Sequence, residues 1–199
     1  MILLGMLMMK IYGDKKSGNC LKIQYLADYL GLAYTWIDVD IMQGETRTEA
    51  FLKLNPAGQI PVVMLEDGQL LSQSNAILLY LARDSELIPN DPWLAAKTYE
   101  WLFWEQYSHE PTIAVCRFHK VYLGKTDAEL DPGKLQKGNE VLDLMEQHLQ
   151  HNNWLVAEQM TVADISLIAY TRLAHEGGFD LTERVYLQNW IKRAEVVLK

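Results

Sequence analysis

Residues 55–63 read NPAGQIPVV, and the Ile60-Pro61 pair within them decides the fold. Proline removes a ladder donor, so a proline that opens a strand belongs at an edge or where the chain turns. A trans bond leaves an ordinary strand edge. A cis bond turns the backbone so that Ile60 presents its N–H and C=O to an extended peptide. The residues that follow, VVMLEDGQLL, form two short apolar runs joined by Asp67-Gly68, a strong hairpin signal.

On the N-terminal side of this hairpin, MMKIY reads as a strand and residues 18–31 as a helix. Cys20, Ile23, Ala27 and Leu30 share one face of that helix, and Gly31 stands at its C-cap. AYTWIDV is a second strand, followed by a short helix near 47–53. On the C-terminal side, SQSNAILLYLAR opens a helix with Ser72 or Ser74 as the expected cap. The order β-α-β-α-β-β-α combines a parallel pair with an antiparallel hairpin, an α/β domain over residues 8–83.

Residues 84–92, with two prolines, Asn and Asp, read as a linker, and residues 93–199 carry helical periods throughout. Pro111 is expected to kink or break the aromatic-rich segment it sits in. Val141, Leu144, Met145, His148 and Leu149 mark the apolar face of one helix. Thr161 and Asp164 form an N-terminal capping box for another, with Met160 and Ile165 as its staple. Residues 1–7 read as an apolar leader, a start-site artefact ahead of Met8 or Met9.

A formal net charge of −8 over 199 residues, without a basic stripe, argues against nucleic acid or anionic membrane as the main partner. Two cysteines are too few for a disulfide framework and fit a reducing cytoplasm. The five histidines show no metal-ligand spacing, so no metal is expected.

Ser17-Gly18-Asn19-Cys20 has the spacing of a redox Cys-x-x-Cys at a helix start, with Ser in the exposed, nucleophilic position. Taken alone, Ser17 is an N-cap and Cys20 a buried apolar residue. In this order and spacing, Ser-x-x-Cys, NPAGQIPVV, QSNAILLYLA and TVADISLIAY resemble the signatures of the cytosolic glutathione transferases, from Met8 onward. The first part is similar to the serine-type, theta-like bacterial classes, and QSNAILLYLA with YEWLFWEQ is also similar to the nu-type disulfide-reducing group.

The resemblance implies a thioredoxin-like βαβαββα domain, an all-helical C-terminal domain, and a homodimer. It implies glutathione as a non-covalent co-substrate, so the reactive sulfur is the ligand's. Ser17 or Asn19 then donates a hydrogen bond to that sulfur, with Tyr12 a weaker rival at the strand end. The glutathione backbone pairs with Ile60 beside Pro61, its γ-glutamyl arm meets Gln73 and Ser74, and its glycyl carboxylate meets Gln59, Thr46 or Arg47. A pocket for the second substrate is expected near Tyr107, Cys116 and Tyr122. The activities implied are thiol transfer to a small hydrophobic electrophile or, at the same site, glutathione-dependent disulfide reduction. A non-catalytic binding module of the same fold is the competing class, because fold alone does not imply function.

Overall fold

Alternation of buried and half-buried side chains along Met9–Gly13 makes this segment β1, the centre of the first unit in a computed structural model that describes residues 8–198. The apolar leader at 1–7 lies outside the described residues. β1 pairs in parallel with β2 (Tyr34–Asp38), with Met9 opposite Tyr34, and antiparallel with β3 (Val62–Met64), with Ile11 opposite Val63. β3 turns through Asp67-Gly68 into β4 (Leu70–Ser72), giving the sheet order β2-β1-β3-β4. This is the mixed sheet expected from the sequence.

A parallel pair needs a crossover, and helix α1 (Gly18–Tyr29) supplies it. Cys20, Ile23, Leu26 and Ala27 are fully buried. The helix stops two residues short of the expected end: Leu30 is the C-cap, and Gly31 at φ +65° sends its N–H to the Asp28 carbonyl while the Leu32 N–H reaches Ala27. That is a Schellman stop, and its left-handed residue favours glycine. The helix near 47–53 resolves into a single 3-10 turn, Glu45–Arg47, and α2 (Glu49–Leu54), capped by the Thr48 hydroxyl. Helix α3 (Ser74–Leu81) closes this unit.

The second unit runs from Ala82. Its helices are α4 (Pro92–Trp104), α5 (Val115–Val121), α6 (Pro132–Leu149), α7 (Val162–Thr171) and α8 (Val185–Val197). Asp91 and Asp131 cap α4 and α6, each with proline at the first position, where no N–H is missed. Pro111 does not break its helix. It sits inside a π-helical stretch, Glu105–Ala114, that continues α4 into α5. A wider turn accommodates a ring that lacks the N–H and clashes with a regular α-ladder. In α6, Val141, Met145 and Leu149 are buried as expected, but Leu144 is exposed, because the buried stripe there is narrower than the apolar one. No described helix is long and apolar enough to cross a membrane, and no three metal-ligating side chains cluster among the described residues.

All ten residues of α7 are buried, and the expected capping box is present at its start. Asp164 does more than cap. Its Oδ2 accepts the Thr161 N–H at 2.9 Å, and its Oδ1 accepts the Leu155 N–H at 3.0 Å and the Trp190 indole N–H at 2.9 Å. One fully buried carboxylate thus holds a helix start, a loop and α8 together. Asp164→Ala removes the acceptor of four buried donors, the N–H groups of Leu155, Thr161 and Trp190 and the Thr161 hydroxyl, of which the three N–H groups cannot turn to another partner, at roughly 1–3 kcal/mol each. The expected outcome is a fall in unfolding free energy of at least ~3 kcal/mol in urea titration, with Asp164→Asn, which keeps one acceptor oxygen, in between.

His148 offers a second check. Its Nε2 lies 3.0 Å from the Leu155 carbonyl oxygen, and burial lowers its pKa below the usual 6.5 despite that contact. The stability gained by keeping it neutral is complete above 6.5 and is lost as pH falls from there through the lowered native value. Thermal midpoints should therefore drop more steeply below pH 6.5 in the wild type than in His148→Gln. Parallel curves would refute the assignment.

Candidate functional site

Ser17 lies where β1 hands over to α1. The Asp14 carbonyl accepts the Ser17 N–H at 2.9 Å, and the Asp14 carboxylate accepts the Lys16 N–H at 2.8 Å, fixing a tight turn. Ser17 has the extended backbone of an N-cap, and its carbonyl accepts the N–H groups of Cys20 and Leu21. Its side chain, however, makes no capping hydrogen bond. The hydroxyl instead meets the Cys20 sulfur. Burial pushes the Cys20 thiol up to about 11, outweighing that hydrogen bond, so at neutral pH the sulfur carries its proton.

Asn19, two residues on, is tied to α3. The Ser74 hydroxyl donates to Asn19 Oδ1 at 3.1 Å, and the Lys22 ammonium donates to Ser74 Oγ at 3.4 Å. Asn19 and Lys22 are three apart on α1, which puts them on one helix face. Ser74 is 6% exposed and Lys22 is fully buried.

Neither Ser72 nor Ser74 caps α3. Gln73 takes that place: its carbonyl accepts the Ile77 N–H at 3.0 Å, and its backbone stands at φ +71°. A non-glycine residue in the left-handed region is held there by its surroundings, and such residues gather at ligand sites. The turn reverses the chain between β4 and α3 within one residue and leaves the first N–H groups of α3 at the helix start, where anions bind.

The loop before β3 is fixed by Asn55, which is buried. Its Nδ2 donates to the Gln59 carbonyl at 2.7 Å, and its Oδ1 accepts the Ala57 N–H at 3.1 Å. The Ile60–Pro61 bond is cis. The Ile60 side chain packs, with Tyr12 and Leu54, against a cluster of Val39, Phe51 and Val62, so Tyr12 has the packing role of a strand residue. Thr46 is buried, whereas Arg47 is exposed and its guanidinium donates to the Ala57 carbonyl at 3.3 Å. Gln59 is exposed beside it.

The structure therefore brings Asn19 to Ser74, Arg47 to the loop carrying Gln59, and Ser17 to Cys20. Tyr107, Cys116 and Tyr122 belong to the second unit: Tyr107 is 88% exposed, Tyr122 stacks on Phe118 at 5.1 Å between ring centroids, and Cys116 is buried. Two site residues were missed in the sequence. Asn55 carries a signal, since Asn before Pro in a loop favours a side-chain turn. Lys22 carries none, because a lysine on a helix is normally read as solvated.

Residues 17–84 match the family model for the glutathione S-transferase N-terminal domain, and residues 92–195 match that for the C-terminal domain. A glutathione S-transferase structure from Pseudomonas fluorescens is 47% identical, with a TM-score of 0.90 and 94% of each chain covered. One from Xanthobacter autotrophicus is 42% identical, with a TM-score of 0.87, covering 93% of this chain and 91% of that one. Glutathione S-transferase 2 of Anopheles gambiae is 30% identical over 92% of this chain and 88% of its own length.

The buried, protonated state of Cys20 is directly testable. In the native protein at pH 8, iodoacetamide should leave Cys20 and the equally buried Cys116 unmodified, while both react after unfolding in urea. Rapid native-state labelling of Cys20, located by peptide mass mapping, would contradict the geometry given above.

Proposed function

As the chain belongs to the cytosolic glutathione S-transferase family, we propose that it activates the thiol of bound glutathione for attack on a small hydrophobic electrophile. The observation that carries the reading is the Ser17 hydroxyl: it stands at a helix N-terminus and makes no capping hydrogen bond to the helix backbone. A sulfur placed there receives an O–H donor and the positive end of α1, and both favour thiolate over thiol. Protein thiols in comparable settings fall by about two units, roughly 2.7 kcal/mol of differential stabilisation. The thiol proton then leaves to solvent, the thiolate electron pair forms the new C–S bond, and the electrophile's leaving group departs with its own pair.

Three further contacts hold the peptide thiol in this reading. Its main chain runs antiparallel to Ile60, beside Pro61, exchanging two backbone hydrogen bonds. Its γ-glutamyl carboxylate sits on the start of α3 at Gln73 and Ser74. Its glycyl carboxylate meets Arg47, with Gln59 and Thr46 alongside. Asn19 is the second candidate for the sulfur, but its Oδ1 already accepts from Ser74, which supports a part in ordering the γ-glutamyl end. We further propose a homodimer working in the cytoplasm: two free, buried thiols suit a reducing compartment, and the exposed rings of Phe103 and Tyr107 suit a covered face.

The test is ultraviolet difference absorbance of bound glutathione thiolate against pH, for wild type, Ser17→Ala and Asn19→Ala. Ser17→Ala should return the bound thiol by about two units toward its free value and lower kcat/KM at pH 7 by about 10²-fold with an aryl halide acceptor. If Asn19→Ala alone does so, the sulfur donor is Asn19, and turnover of a small disulfide becomes the activity to assay next. Wild-type protein that retains no glutathione at millimolar concentration would reduce the molecule to a binding module.

A further inference from the structure

Gly58 is buried in the loop ahead of Ile60 and stands at φ +62°, a conformation that favours glycine. The side chain of Arg47 lies over it. A Cβ on Gly58 would stand 2.5 Å from Arg47 Nη1, 3.0 Å from Arg47 Cζ and 3.0 Å from the Thr46 carbonyl oxygen. The guanidinium thus fills the space that a side chain at position 58 would take. Both partners are fixed by their own backbone: the Asn55 carbonyl accepts the Gly58 N–H at 2.9 Å, and the Gly44 carbonyl accepts the Arg47 N–H at 2.8 Å. Arg47 Nη1 donates to the Ala57 carbonyl at 3.3 Å, which uses one donor of a group that has several. Among the described residues Arg47 forms no ion pair with an acid. A cation held in place without an acidic partner is arranged for an anion from outside.

We propose that Gly58 is a positioning residue that makes the site selective for thiol peptides ending in a free carboxylate, acting through Arg47 without touching the ligand. This rests on the reading above that the glycyl carboxylate docks at Arg47. A surface arginine samples many rotamers, and an anion that binds it must freeze them. Seated on Gly58, the guanidinium has given up that freedom before the ligand arrives. Its remaining donors form a planar fork that suits the two oxygens of a carboxylate. A primary amide of the same size offers one acceptor oxygen and no charge, so it gains little from the seat. A methyl group at position 58 acts first on the guanidinium, the far end of a flexible side chain, while the Thr46 carbonyl has only a few tenths of an ångström to give. Gly58→Ala therefore unseats Arg47 before it disturbs the loop.

The experiment compares two probes by isothermal titration, glutathione and its analogue with the glycyl carboxylate converted to the primary amide. Wild-type protein should bind glutathione at least about tenfold more tightly than the amide. In Gly58→Ala glutathione should weaken about tenfold and the amide less than about threefold, so the preference collapses. Arg47→Ala should lose the same preference, and the double variant no more than either single one, because both changes remove one interaction. A folded Gly58→Ala protein that keeps the wild-type preference overturns the proposal. So does an equal weakening of both probes, which marks a structural role, and so do losses of preference that add in the double variant. Should Gly58→Ala fail to fold, the wild type still decides: without ligand, the Arg47 Nε–H order parameter should lie above about 0.6, and a lower, freely mobile value overturns the proposal. Wild-type protein that binds glutathione with no preference over the amide removes the docking at Arg47 and this proposal, but leaves thiol activation standing. Wild-type protein that binds neither probe removes both.

Discussion

No side chain fits between the end of β1 and the first turn of α1. A Cβ on Gly13 would stand 2.9 Å from the Cys20 sulfur and 3.2 Å from the Trp36 ring, so strand and helix meet at a distance only glycine permits. The site depends on that approach. It brings the buried sulfur of Cys20 to the Asp14–Ser17 turn, within reach of the Ser17 hydroxyl at the start of α1. A bulkier residue at position 13 would move the turn, and Ser17 with it.

Two further features hold the candidate site in shape, and both work through the backbone. Asn55 clamps the loop ahead of Ile60 from within by bonding the carbonyl of Gln59 and the N–H of Ala57. Gln73, in the left-handed region, turns the chain from β4 into α3 without a spacer. The side chains that face outward, Arg47, Gln59 and Gln73 itself, are exposed and carry little of the packing. A clamped main chain with exposed side chains suits the backbone-led peptide recognition proposed above.

Much of this could be read from the sequence, for reasons that differ by element. The hairpin was legible because Asp67-Gly68 admits few other conformations, and α7 because Thr161 and Asp164 satisfy each other at a fixed spacing. The start of α3 was misread: serine is so common a cap that Ser72 and Ser74 concealed a glutamine held at positive φ, a conformation that no local preference of glutamine foretells. Lys22 was illegible because its burial is set by what α3 brings over it, a long-range fact. Leu144 failed in the opposite direction, since periodicity identifies an apolar stripe but not how much of it a neighbour covers.

The π-helical stretch at Glu105–Ala114 has a consequence of its own. Each π turn closes on the fifth residue where an α turn closes on the fourth, so side chains advance around the axis more slowly through these residues. The stretch therefore works as a phase adjuster on one continuous rod: α5 presents a different face from the one a straight continuation of α4 would give it. A chain in which every residue must satisfy a fixed period has no freedom to rotate one half of a helix against the other. Here that freedom is stored in ten residues around a proline, where gaining or losing a single residue re-aims everything after it on the same rod without breaking it.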